Sequence, residues 1–110
     1  MSEQHRIVDY ITQDALEELS LPSNLNYGNA IFLSDGVQFI ERGDLRCEAW
    51  VGGKLTELSS GSTQRRRTTL FIDVDERLAW RCTCNSKNRQ IFCKHCVALS
   101  LALQQEPLNN

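Results

Sequence analysis

The sequence predicts an α+β domain: an N-terminal helix, a small antiparallel β-meander, and a cysteine-rich turn leading into a C-terminal helix. Three observations predict it. Apolar residues near the N-terminus recur at helical spacing. From residue 37 to 82 the period changes to two, with turn residues between the runs. The order does not alternate strand–helix–strand, which argues against a parallel sheet. The 110 residues suit one domain, 1–110, and a hydrophobic share of 41% with 24% charged residues is neither disordered nor membrane-embedded.

The helix is expected over Arg6 to Ser20, from Ile7, Tyr10, Ile11, Leu16 and Leu19. A break falls near Thr12, with Asp14 able to cap the second piece. Leu21-Pro22-Ser23 ends it, and Asn24 to Ala30 reads as a loop. Val37 to Glu41 is a short strand after the turn-prone Ser34-Asp35-Gly36. Leu45, Cys47, Ala49 and Val51 alternate with Arg46, Glu48 and Trp50, the pattern of a half-buried strand. Gly52-Gly53 suits a hairpin turn that needs positive φ at both central positions, and Lys54 to Leu58 returns as a strand. Ser59 to Thr63 is a loop. Arg66 to Val74 follows as a strand with Leu70, Ile72 and Val74 on one face, and Asp75-Glu76 turns the chain. Arg77 to Cys82 is the last strand, with Leu78, Trp80 and Cys82 on one face. Lys94 to Gln104 is a helix apolar almost all round, expected to lie on the sheet. Residues 105–110 read as a flexible tail.

Five cysteines are present, four of them between residues 82 and 96. The N-terminal residues show no apolar core of a signal peptide, and no apolar run is long enough to span a bilayer. A cytoplasmic, reducing setting is therefore expected, where clustered cysteines are metal ligands more often than disulfides. Cys82-Thr83-Cys84, eight residues, then Cys93-Lys94-His95-Cys96 presents two short ligand pairs joined by a polar loop. Zinc takes four such ligands in a tetrahedron, commonly three cysteines and one histidine. Residues two apart at a strand end point to one side. On a helix they point nearly opposite ways, so Cys93 must sit just before the helix with His95 in its first turn. There the positive helix end favours a thiolate. Five candidates compete for four places. The preferred set is Cys82, Cys84, Cys93 and His95, with Cys96 in the core; the alternative replaces His95 by Cys96. Cys47, within an apolar alternation, is read as core.

This stretch, WRCTCNSKNRQIFCKHCVALSLAL, resembles the SWIM zinc-finger family, whose pattern is Cys-x-Cys, a variable gap, then Cys-x-His. The likeness includes Phe92-Cys93-Lys94-His95 and the following Val97-Ala98-Leu99. Upstream, GVQFIERGDLRCEAWVGG looks like the strands that precede the motif in bacterial members near Swi/Snf-like helicases. The resemblance spans about residues 25 to 104 and is specific from Trp80 onward, with 82–104 as the finger. Asn85 departs from the proline that many members carry after the second cysteine. By the family pattern the zinc ligands are Cys82, Cys84, Cys93 and His95, and Cys96 is not one. The family is described as a DNA-binding or protein-interaction module, so the resemblance implies DNA or a protein partner, including one related to a helicase.

An enzyme is not expected. A catalytic zinc keeps a position open, whereas four protein ligands are available here. Zinc deaminases need a glutamate two residues after a ligand, and no acidic residue lies between Arg77 and Gln105. No small-molecule substrate and no membrane are expected. Net charge is -2, but its distribution is uneven. Residues 1–64 carry 4 basic and 10 acidic side chains, whereas residues 65–94 carry 8 basic and 3 acidic. Charge runs are usually solvated faces. The functional reading is nucleic-acid binding through Arg65, Arg66, Arg67, Arg77, Arg81, Lys87, Arg89 and Lys94, with Arg77 and Arg81 on the face opposite Trp80. The other reading is a protein–protein adaptor using the acidic half.

Overall fold

The computed structural model of the chain describes residues 6–52, 66–83 and 91–105. Within them the chain is α+β. Helices α1 (Ile7–Tyr10), α2 (Gln13–Leu19) and α3 (Pro22–Leu33) come first. Strands β1 (Val37–Arg42), β2 (Arg46–Val51), β3 (Arg66–Ile72) and β4 (Leu78–Cys82) follow, and α4 (Lys94–Gln104) ends the series. The sheet is an antiparallel meander in the order β1-β2-β3-β4. The strand read over Lys54 to Leu58 lies outside the described residues; β2 takes β1 and β3 as its two neighbours.

The break near Thr12 is real, but its cap is Thr12 itself. The Thr12 hydroxyl accepts from the Ala15 amide at 3.3 Å, and Asp14 sits inside the first turn of α2. Tyr10 of α1 donates its hydroxyl to the Glu76 carbonyl in the β3–β4 turn, and Gln104 of α4 donates to the Ile11 carbonyl. The four-residue α1 is thus tied to both layers.

The loop expected over Asn24 to Ala30 is helix α3. Pro22 occupies its first turn, where proline starts a helix because that amide needs no intrahelical partner. Leu25, Gly28, Ile31 and Phe32 recur at helical spacing and face the rest of the fold. Three asparagines and a glycine make the segment a poor helix by propensity, so its packing on α4 decides.

In the sheet, the alternation puts Phe39, Cys47, Ala49, Val51, Leu70, Trp80 and Cys82 on the face that the helices cover. Helix α4 packs most extensively on α3 and touches all four strands. Eight of its eleven residues are buried, which explains why the sequence is apolar all round. Buried Ser100 satisfies its hydroxyl on the Cys96 carbonyl at 2.8 Å. Arg42 at the end of β1 donates to the Leu103 and Gln105 carbonyls, placing a cation on the negative end of α4.

Strand β3 stops at Ile72, short of Val74. Asp73 takes over with an Asx turn, its carboxylate accepting from the Asp75 and Arg77 amides at 2.9 and 3.0 Å. Val74 is left in the turn at 97% exposure, off the core face. Among the described residues no helix is long and apolar enough to cross a membrane.

Candidate metal centre

Cys82 is the last residue of β4 and lies on the covered face, in one cross-strand row with Thr68 and Ala49. Cys93 is the N-cap of α4, in extended conformation, and His95 falls in the first helical turn, as the two-residue spacing requires. The sheet thereby supplies one sulfur from below, and the helix start supplies a sulfur and an imidazole from above.

The ligand atoms of Cys82, Cys93 and His95 all lie within 4.8 Å of one another. His95 Nδ1 is 3.5 Å from Cys82 Sγ and 3.8 Å from Cys93 Sγ. A tetrahedral site with metal–sulfur bonds of about 2.3 Å and metal–nitrogen bonds of about 2.0 Å has S···N edges of about 3.6 Å. The two S···N separations lie close to that value, so these three residues could hold a metal ion.

The surroundings are apolar. Cys93 and His95 are buried, and Cys82 is half-buried. Phe92 is wholly buried and meets Trp80 edge-to-face at 4.9 Å between centroids. Protons are therefore held tightly by the sulfurs. The Cys93 sulfur beside it and burial push the Cys82 thiol up to about 11. Cys82 pulls Cys93 the other way, but the Cys96 sulfur and burial prevail and raise it. Without a cation the two sulfurs therefore stay protonated, and a metal ion binding there would displace those protons.

Cys96 is wholly buried, with its sulfur 3.8 Å from Cys93 Sγ, yet it does not join the group. Among the described residues the group that could hold a metal ion is Cys82, Cys93 and His95. Cys84 lies outside the described residues. Cys47 is buried in the core and its thiol is pushed up to about 12, chiefly by burial.

Sequence reasoning missed Thr68. This wholly buried threonine holds its hydroxyl 3.4 Å from Cys82 Sγ and 3.2 Å from the Arg66 carbonyl. The hydrogen bond between the hydroxyl and the sulfur pulls the Cys82 thiol down. Only the strand register reveals it, since Thr68 is fourteen positions from Cys82.

The predicted basic residues separate. Arg67 and Arg81 lie on the face of the sheet opposite α4, on adjacent strands. Arg66 has the other parity along β3 and donates to the Thr83 carbonyl at 3.4 Å. Lys94 stands over the Tyr27 ring on the helical side, 5.6 Å from its centroid. Arg77 is exposed at the β3–β4 turn. Arg65, Lys87 and Arg89 lie outside the described residues. Arg46, not singled out in the sequence, joins Arg67 around the buried Glu48 carboxylate. Comparison with known protein families, curated proteins and solved structures finds no match.

Proposed function

We propose that the chain is a structural-zinc module of the SWIM type that binds nucleic acid, with DNA as the expected ligand. The observation that carries the zinc reading is the convergence of Cys82, Cys93 and His95 where β4 ends and α4 begins. Cys84, two residues beyond Cys82, is the fourth ligand in this reading. Zinc would join the last strand to the last helix, and four protein ligands leave no position for a substrate. The domain therefore has no reaction of its own and works by binding. Arg67 and Arg81, diagonal neighbours on adjacent strands of the outer sheet face, support nucleic acid as the ligand.

Metal analysis of the purified chain is expected to give about one zinc per chain. Cys93→Ser and His95→Ala release it, while Cys96→Ser keeps it. Loss in Cys96→Ser with retention in His95→Ala would refute the ligand set. DNA is expected to be retained at low salt and released steeply as salt rises. A chain that holds zinc but retains no DNA at low salt is an adaptor for a protein partner instead.

A further inference from the structure

We infer that the open face of the sheet is a platform for single-stranded nucleic acid. The inference rests on the nucleic-acid reading above and names the surface and the form of the ligand. The face opposite α4 carries two aromatic side chains, each beside an arginine. Trp50 of β2 is the register partner of Arg67 on β3, and Phe71 of β3 is the partner of Arg46 on β2. Trp50 remains 40% exposed, an unusual place for an indole. The Arg81 guanidinium lies over the Phe71 ring at 5.7 Å from its centroid.

Among the described residues Glu48 is the buried acid of this face, and its carboxylate fixes the arginines around it. Glu48 sits between the arginines with its side chain only 10% exposed, engaging Arg67 through Nε. Arg46 and Arg67 stay about half exposed, at 53% and 52%. Exposed Glu41 of β1, the register partner of Glu48, pairs Arg46 at 3.4 Å, so Arg81 over Phe71 is the arginine of this face whose charge no carboxylate among the described residues offsets, the sign that a phosphate requires.

Shape selects the form of the ligand. Register places Trp50 and Phe71 four residues apart along adjacent strands, about 14 Å, enough for two separate bases. A four-stranded sheet is too wide for the major groove, which admits a helix or a two-stranded ribbon. Bases that are already unstacked can lie on the exposed Trp50 ring and against the half-buried Phe71 ring with its covering Arg81, whose guanidinium can also meet a phosphate.

The test is fluorescence anisotropy of the zinc-loaded full chain with labelled twelve-nucleotide oligo-dT and oligo-U, and with a mixed-sequence DNA duplex of equal length. Single strands are expected to bind more tightly than duplex. Trp50→Ala and Phe71→Ala should each weaken them about 5- to 100-fold. Trp50→Phe should keep most of the affinity, and Arg81→Ala should reduce the salt slope. Unchanged zinc content and circular dichroism show that each variant is folded. Duplex bound equally well and indifferent to Trp50→Ala and Phe71→Ala would overturn this inference and leave the nucleic-acid reading standing. No binding of any oligonucleotide at low salt would overturn both. Binding of a poly-glutamate peptide instead, lost in Arg81→Ala, would overturn both and assign the face to an acidic protein partner.

Discussion

Gly28 of α3 lies so close to Val97 of α4 that a Cβ on the glycine would sit 2.5 Å from the valine Cβ, and 2.8 Å from the Lys94 carbonyl oxygen. The neighbours are a β-branched side chain and helix backbone, neither of which can swing aside. Gly28→Ala should therefore destabilise the fold by about 1–3 kcal/mol. That outweighs the roughly 1 kcal/mol alanine gains over glycine in a helix. Asn29→Ala, on the exposed side, serves as the control and should stay within about 0.5 kcal/mol. Urea titration reads both. A Gly28→Ala chain as stable as the parent would mean that the two helices are not in this contact.

Phe92 precedes Cys93 in the chain and is wholly buried with its ring against Trp80. Phe92→Ala should cost about 3–5 kcal/mol, from lost burial and the cavity left behind. Because Trp80 forms one wall, its fluorescence should shift in the folded variant. A cost below about 1 kcal/mol would show that the site collapses and that Phe92 does not brace it.

The Thr68 hydroxyl is hydrogen-bonded to Cys82 Sγ, so Thr68→Val tests a support for one ligand of the proposed zinc site. The substitution nearly preserves shape. It should weaken zinc retention against a competing chelator about 10- to 100-fold while leaving one zinc per chain in its absence. Equal retention would make Thr68 a packing residue only.

Glu48 sets an acid limit. The Arg67 guanidinium hydrogen-bonded to it holds its carboxyl below the ordinary value of 4.5. A group whose pKa falls on folding stabilises the native state above its unfolded pKa. That contribution disappears as pH drops through the folded value. Glu48→Gln should therefore be less stable than the parent at neutral pH, and the difference should shrink below pH 4.5. Parallel stability curves across that range would exclude the pair as a contributor.

Cys47 should be chemically silent. Burial pushes its thiol up to about 12, so almost no thiolate is present at neutral pH. A thiol reagent should label it only after denaturant unfolds the chain. Labelling of native, zinc-loaded protein at Cys47 would contradict its placement under α4.

Much of this architecture was legible because burial leaves a periodic trace. The alternation around Cys47, Ala49 and Val51 marks β2, and the unbroken apolar run marks α4 with the bounds Lys94 to Gln104. Ligand spacing alone placed Cys93 before the helix and His95 in its first turn. Helix α3 was not legible, because Pro22 reads equally as a stop or a start. Its asparagines and Gly28 argue against the helix that contact with Val97 imposes. Nor was the grouping of Arg46, Glu48 and Arg67 visible. About twenty residues separate Arg67 from the other two, and only the β2–β3 register brings them together. Val74 was misplaced because an apolar residue in a turn looks like one more strand position, and the Asp73 carboxylate ended the strand first.

The pairing of Val51 with Arg66 has a practical consequence for engineering. It holds the two ends of the intervening chain about 5 Å apart, whatever its length. Each doubling of such a connection adds only about 0.6 kcal/mol of closure entropy. Arg66 is two residues from Thr68, so this junction opens roughly 7 Å along β3 from the row that ends in Cys82. A fluorescent or lanthanide-binding tag spliced between Gly52 and Arg66 would leave the ladder in register and enter the chain near the Cys82, Cys93 and His95 group. The junction is thus a natural socket for a reporter of metal loading.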